Sequence, residues 1–105
     1  MKPSSSQLRQ LRSHAAKLKA RLAIGRAGLT DACVAQVRHA FERDSLIKVR
    51  VGAHDRDAID EIGEKLAAQV PCTLVSRVGF VLTLFRPGPN NPLADPDPAT
   101  EQDPN

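Results

Sequence analysis

One hexapeptide limits the fold more than any other stretch: Leu46-Ile47-Lys48-Val49-Arg50-Val51. Apolar and basic residues alternate from Ile47 onward, which is the two-residue period of a strand with one face against a core. Ile47, Val49 and Val51 face that core, and Lys48 and Arg50 face away. The flanking segments carry the helical period instead. Upstream, Thr30 can cap a helix whose positive first turn suits Asp31. That helix runs to about Arg43 on a stripe of Cys33, Val34, Val37, Ala40 and Phe41. Downstream, Asp55 or Asp57 opens a helix with Ile59, Ile62, Leu66 and Val70 inward, and Pro71 ends it.

The remaining segments complete the order. Residues 4–18 read as an amphipathic helix capped by Ser4, Ser5 or Ser6, with Leu8, Leu11, Ala15 and Leu18 on one arc and Arg9, Arg12 and Lys17 opposite. Residues 20–24, apolar at Leu22 and Ile24, read as a short strand ending at Gly25. Two more strands are expected at about 73–77 and 80–86, turning at Val78-Gly79. The order is α-β-α-β-α-β-β. Strands joined through helices lie parallel with right-handed crossovers, and the last pair can form a hairpin. The expected fold is a single compact α/β domain with a four-stranded mixed sheet covered by helices.

With 105 residues the chain has room for one domain. No apolar run approaches the roughly 20 residues of a membrane span, and the N-terminus lacks the apolar centre of a signal peptide. A cytoplasmic location is therefore expected. Cys33 and Cys72 form no Cys-x-x-Cys pair and read as small buried apolar residues, and His14, His39 and His54 lack zinc-ligand spacing. No metal or cofactor is expected. The folded domain is placed at residues 1–87. Residues 88–105 continue an acidic stretch beginning at Pro87 that holds six of the eight prolines, and they read as a disordered tail.

Charge is unevenly distributed. Residues 1–28 carry Lys2, Arg9, Arg12, Lys17, Lys19, Arg21 and Arg26 with no acid, and the tail carries four acids with no base. Residues 1–86 thus hold 15 bases against 8 acids, a net +7. A basic surface polarised in this way points to a polyanionic partner.

Within the basic third lies Gly25-Arg26-Ala27-Gly28, followed by Leu29-Thr30. Glycines admit positive φ and close backbone approach, and exposed amides before a helix can bind phosphate oxygens. Arg26 would add a full charge at the loop tip, with Lys19 and Arg21 just before it. The three-glycine dinucleotide pattern is incomplete and no Gly-Lys-Ser/Thr follows, so neither nucleotide-binding loop fits. Two glycines in such a turn are also ordinary turn chemistry. Aromatic residues are scarce: Phe41 lies on a buried stripe, which leaves Phe80 or Phe85 as the only rings for base stacking. Recognition should lean on phosphates and RNA shape.

Other readings stay open on the residues alone. A KH-type module also clamps backbone with a Gly-x-x-Gly loop, but between two helices. Asp55, Asp57, Asp60, Glu61 and Glu64 are dense enough for acid/base chemistry, yet their spacing suits a solvated helix face, and no nucleophile–base pair accompanies them. A basic surface can also bind an acidic protein.

The blocks Gln7-Leu8-Arg9-Gln10-Leu11-Arg12, Ala15, Leu18-Lys19 and Ile24-Gly25-Arg26-Ala27-Gly28-Leu29-Thr30 resemble the CRM domain, named for chloroplast RNA splicing and ribosome maturation. Leu46 to Val51 and Val81 to Pro87 match its later segments, so the likeness spans about residues 6–87. It is nearest to the small stand-alone bacterial members, the YhbY family. The resemblance implies a non-enzymatic RNA-binding protein with a fold similar to the C-terminal domain of a bacterial translation initiation factor. It also implies association with ribosomal RNA in precursors of the large subunit. Carried over, the RNA contact is Gly25, Arg26, Ala27 and Gly28, with Arg9, Arg12, Lys19 and Arg21 as basic support. A monomer is expected, with no membrane and no small-molecule substrate. Two positions depart from the pattern. The loop's inner pair is Arg-Ala, where relatives often carry Lys or Ser followed by Asn. Val78-Gly79-Phe80 stands where Ile-Gly-Lys is frequent, so a basic contact at that turn is lost.

Overall fold

The computed structural model describes residues 3–25, 28–52 and 55–93. Seven elements follow in the expected order: α1 (Ser5–Ala15), β1 (Leu22–Ile24), α2 (Asp31–Phe41), β2 (Leu46–Val51), α3 (Arg56–Gln69), β3 (Thr73–Val78) and β4 (Val81–Phe85). The strands form one mixed sheet in the order β1-β2-β4-β3. β1 runs parallel to β2, and β4 is antiparallel to both of its neighbours. β1, β2 and β3 therefore point the same way. The loop after β1, the loop after β2 and the β3–β4 turn all gather at one end of the sheet.

The two-residue period sorts side chains to opposite faces of this sheet. One face carries Ile24, Ile47, Val49 and Leu84, packed with Val34, Val37 and Phe41 of α2 and with Leu66 and Val70 at the end of α3. Val51 and Leu82 extend the same face to Ile59. The other face carries Leu46, Val75 and Phe85, covered by Leu11 and Ala15 of α1. Both faces of β2 are thus partly buried, beyond the one-sided strand that its alternation suggests. Val75 reaches the α1 face through a bulge: Leu74 pairs with Leu84 and Ser76 with Thr83, leaving Val75 as the extra residue.

Local signals set the helix starts. Ser4 and Gln7 form a reciprocal capping box, with the Ser4 amide donating to Gln7 Oε1 at 2.9 Å and the Gln7 amide to Ser4 Oγ at 3.1 Å. Thr30 Oγ1 accepts from the Cys33 amide and Asp55 Oδ1 from the Ala58 amide. The end of α1 departs from the sequence expectation. The helix stops at Ala15, short of residue 18, and Leu18 is 40% exposed rather than on the buried stripe. The cause lies in β2: Lys48 Nζ donates to the carbonyls of Ala15 at 3.0 Å and Leu18 at 3.1 Å. A cation on the last carbonyls closes the helix and complements its negative end.

Residues 88–93, which composition assigns to the tail, return to the domain. Ser45, fully buried, donates its hydroxyl to Pro89 O at 2.8 Å, and Asn90 Nδ2 donates to Arg43 O and Asp44 Oδ1. Leu93 packs against the α1 cluster. The acidic residues from Asp95 onward lie outside the described residues. No helix among the described residues is long and apolar enough to cross a membrane.

Candidate nucleic-acid interface

The glycine loop leaves β1 and enters α2. Ile24 pairs with Val51 in the parallel ladder, and the Gly52 amide donates to Ile24 O at 2.7 Å. These bonds fix the point where the loop departs. The loop then closes on itself, because the Gly28 amide donates to Gly25 O at 3.0 Å. Gly28 has φ +91°, a backbone conformation that disfavours any residue with a Cβ. Gly25 is different. Its φ is not left-handed and a Cβ there would meet nothing within 4 Å. The fold requires glycine at 28 but not at 25. Arg26 and Ala27 lie outside the described residues.

The start of α2 adds partial positive charge, but Asp31 already sits in its first turn. The local field therefore depends on basic side chains more than on the helix end. Lys19 and Arg21, both exposed, precede the start of β1, one short strand away from the loop that follows its end. Arg50, also exposed, is the partner of Ala23 in the β1–β2 register. Among the described residues, no ion pair involves Lys19, Arg21 or Arg50.

Other basic side chains, the predicted Arg9 and Arg12 among them, are placed elsewhere. Arg9 and Arg12 are exposed on α1, which packs on Leu46 and Phe85, at the end of the sheet opposite the glycine loop. Lys48 is committed to the α1 carbonyls. Arg77 is committed to Asp60 of α3 through a 2.6 Å bond from Nε, so it does not stand in for a basic residue at the β3–β4 turn.

The aromatic residues divide sharply. Phe41 and Phe85 are buried, at 5% and 1% exposure, and Phe80 is 47% exposed at the tip of the β3–β4 turn. Its carbonyl accepts from the Val51 amide at 2.8 Å, which ties the turn to the end of β2. Of the two rings that the sequence leaves for stacking, Phe80 is the exposed one, and its place beside Arg50 comes from the tertiary structure.

Three of the five acidic residues at α3 have partners within the fold. Asp55 caps the helix, Asp60 holds Arg77, and Glu61 lies 3.9 Å from Lys65. Among the described residues no group of three or more His, Cys, Asp or Glu side chains could hold a metal. The Gly-x-x-Gly loop is entered by a strand, unlike the helix-to-helix loop of a KH clamp.

Comparison with known proteins matches this arrangement to one family. The model of the CRS1/YhbY (CRM) domain matches residues 4–86. The chain is 30% identical over 84 residues to a protein of Haemophilus influenzae named "RNA-binding protein", covering 80% of this chain and 85% of that one. It is also 30% identical over 94 residues to the "Probable RNA-binding protein PA4753" of Pseudomonas aeruginosa, covering 88% and 90%. The solution structure of SAV1595 from Staphylococcus aureus superposes with a TM-score of 0.75 at 28% identity, covering 83% of this chain and 91% of that one. The chain belongs to the CRS1/YhbY (CRM) domain family.

Proposed function

We propose that this protein is a non-enzymatic RNA-binding protein, acting as a cytoplasmic monomer on ribosomal RNA precursors during assembly of the large ribosomal subunit. The observation that carries the RNA contact is the closed Gly25–Gly28 turn, set between a parallel strand and a capped helix. Exposed Lys19, Arg21 and Arg50 accompany it without carboxylate partners among the described residues. The amides that follow it at the start of α2 can meet a phosphate, and the side chains supply the surrounding field. Arg26 adds a guanidinium to the loop, and Gly25, Ala27 and Gly28 let the RNA backbone approach. Arg9 and Arg12 contribute at longer range from α1. The names of the two bacterial relatives support RNA as the partner class, and the ribosomal target rests on what membership in the family implies.

The test is sedimentation of cell extract with RNA crosslinking, for wild type and for Arg26→Glu combined with Gly28→Asp. Wild type should travel with particles of the large subunit and crosslink to their RNA, and the double variant should run free. A wild-type protein that runs free of every ribosomal particle overturns the ribosomal assignment.

A further inference from the structure

We propose that the sheet face beside the glycine loop is a stacking site for one unpaired nucleobase, with the Phe80 ring as its platform and the Arg50 guanidinium at its side. The proposal rests on the RNA-binding reading above and adds to it the strand state of the RNA.

The site exists because α1 covers only part of its sheet face. Leu46 and Phe85 lie under that helix, but Ala23, Arg50 and Val81, farther along the same face, do not. An open groove of about 560 Å³ runs there, lined by Ala23, Ile24, Arg50, Gly52, Phe80 and neighbouring valines. This volume falls within the range of roughly 300–1,000 Å³ typical of ligand sites. Val78, at 73% exposure, and Phe80, at 47%, leave apolar surface open at its rim.

The chemistry of the lining selects the occupant. Among the described residues, Arg50 is the only lining residue with a polar side chain, and the other lining side chains are apolar. A flat π-system attached to a polyanion satisfies both parts: the ring stacks on Phe80, and the guanidinium meets a base face or a phosphate. An acidic peptide would use Arg50 but leave the aromatic surface unmatched. The platform is also held in place. Gly79 turns at φ +58°, and the Val51 amide binds the Phe80 carbonyl at 2.8 Å, so little ordering is required on binding.

Continuity with the loop fixes how the RNA would lie. Ile24 lines the groove and is followed directly by Gly25. A strand whose phosphate rests at the loop therefore brings an adjacent base to Phe80. A base held in a duplex cannot present its face in this way. The RNA bound here is single-stranded at this nucleotide.

The test uses the full chain and two RNAs, a short single strand carrying the fluorescent base 2-aminopurine and a closed duplex hairpin. Wild type should quench the 2-aminopurine on binding. Phe80→Ala should abolish the quench and weaken single-strand binding by about 5- to 150-fold, with duplex affinity and the thermal midpoint unchanged. Phe80→Trp should restore the quench. If Phe80→Ala keeps both quench and affinity while Gly28→Asp loses binding, the stacking site is refuted and the RNA-binding reading stands. Equal weakening on both RNAs also refutes it, as does displacement of the RNA by a glutamate-rich peptide whose own binding needs Phe80. If wild type binds neither RNA at low salt, the underlying reading fails as well.

Discussion

Lys48 Nζ lies 3.0 Å from the carbonyl oxygen of Ala15, so the sheet residue that alternation sends outward is the C-terminal cap of the first helix. A bond from Lys48 to Leu18 O reinforces it. Replacing Lys48 with Met keeps the aliphatic stem and removes the charge and its donors. Lys48→Met should lower stability by about 1–2 kcal/mol, and Lys48→Glu should lower it further by placing a carboxylate on the negative helix end. Urea unfolding followed by circular dichroism measures both.

Arg77 and Asp60 tie β3 to α3 at 2.6 Å, with the Arg77 side chain 27% exposed and that of Asp60 49% exposed. Solvent on the aspartate side screens the pair. A double-mutant cycle with Asp60→Ala and Arg77→Ala should give a coupling of about 0.5–1 kcal/mol. The coupling should shrink as salt is raised. RNA affinity should change little in either variant, since Arg77 is engaged within the fold.

Gly63 sits in the middle of α3, where a Cβ would meet Leu74 and Leu82 side-chain carbons at 3.5–3.7 Å. Those are ordinary contact distances, so the site holds one methyl group and no more. Gly63→Ala should raise stability by about 0.5–1 kcal/mol through helix propensity. Gly63→Leu should lower it by about 1–3 kcal/mol through overpacking. Thermal melts distinguish the two signs.

The two loop glycines should behave differently. A Cβ at Gly25 meets open space and needs no unusual φ, so Gly25→Ala should leave stability within about 0.5 kcal/mol. If RNA backbone approaches there, the same change should weaken RNA binding. Gly28→Ala should cost about 1–2 kcal/mol by forcing a Cβ into the φ +91° turn. For wild type, engagement of about five phosphates gives a slope of log affinity against log salt near −3.5 to −4.5. A slope near zero in a filter-binding titration would refute the phosphate contacts.

Burial pushes the Cys72 thiol up from the ordinary 9.0 to about 11, opposed in part by the Arg86 charge. At pH 8 the thiolate of the folded protein should be about 100-fold scarcer than that of an ordinary cysteine, and alkylation of Cys72 correspondingly slow. The linkage has a definite sign. The folded state holds this proton more tightly than the unfolded state. Stability from Cys72 is therefore complete below pH 9 and declines as pH rises from 9 towards 11. Cys72→Ser should flatten that decline in urea titrations run across the same window.

The local alphabet of this protein determined its elements. Thr30 is read as a cap, and Ser4 and Asp55 are among the caps read for their helices (Ser4, Ser5 or Ser6; Asp55 or Asp57), because a side-chain oxygen three residues before an amide needs no distant partner. The β2 alternation, the strand read at residues 20–24 and formed at Leu22–Ile24, and the glycine loop are legible for the same reason: each depends on residues a few positions apart. Only tertiary structure decided the rest. Lys48 became a helix cap and Arg77 an ion-pair partner, although sequence pattern alone leaves each as a side chain on a strand, and of the two candidate rings Phe80 became the exposed one and Phe85 a buried one. Their roles follow from insertion of β4 between β2 and β3 and from where α1 stops, which set what lies opposite each side chain. Contacts between residues 15 and 48, or 60 and 77, belong to the packing of elements and leave no periodic trace in the chain.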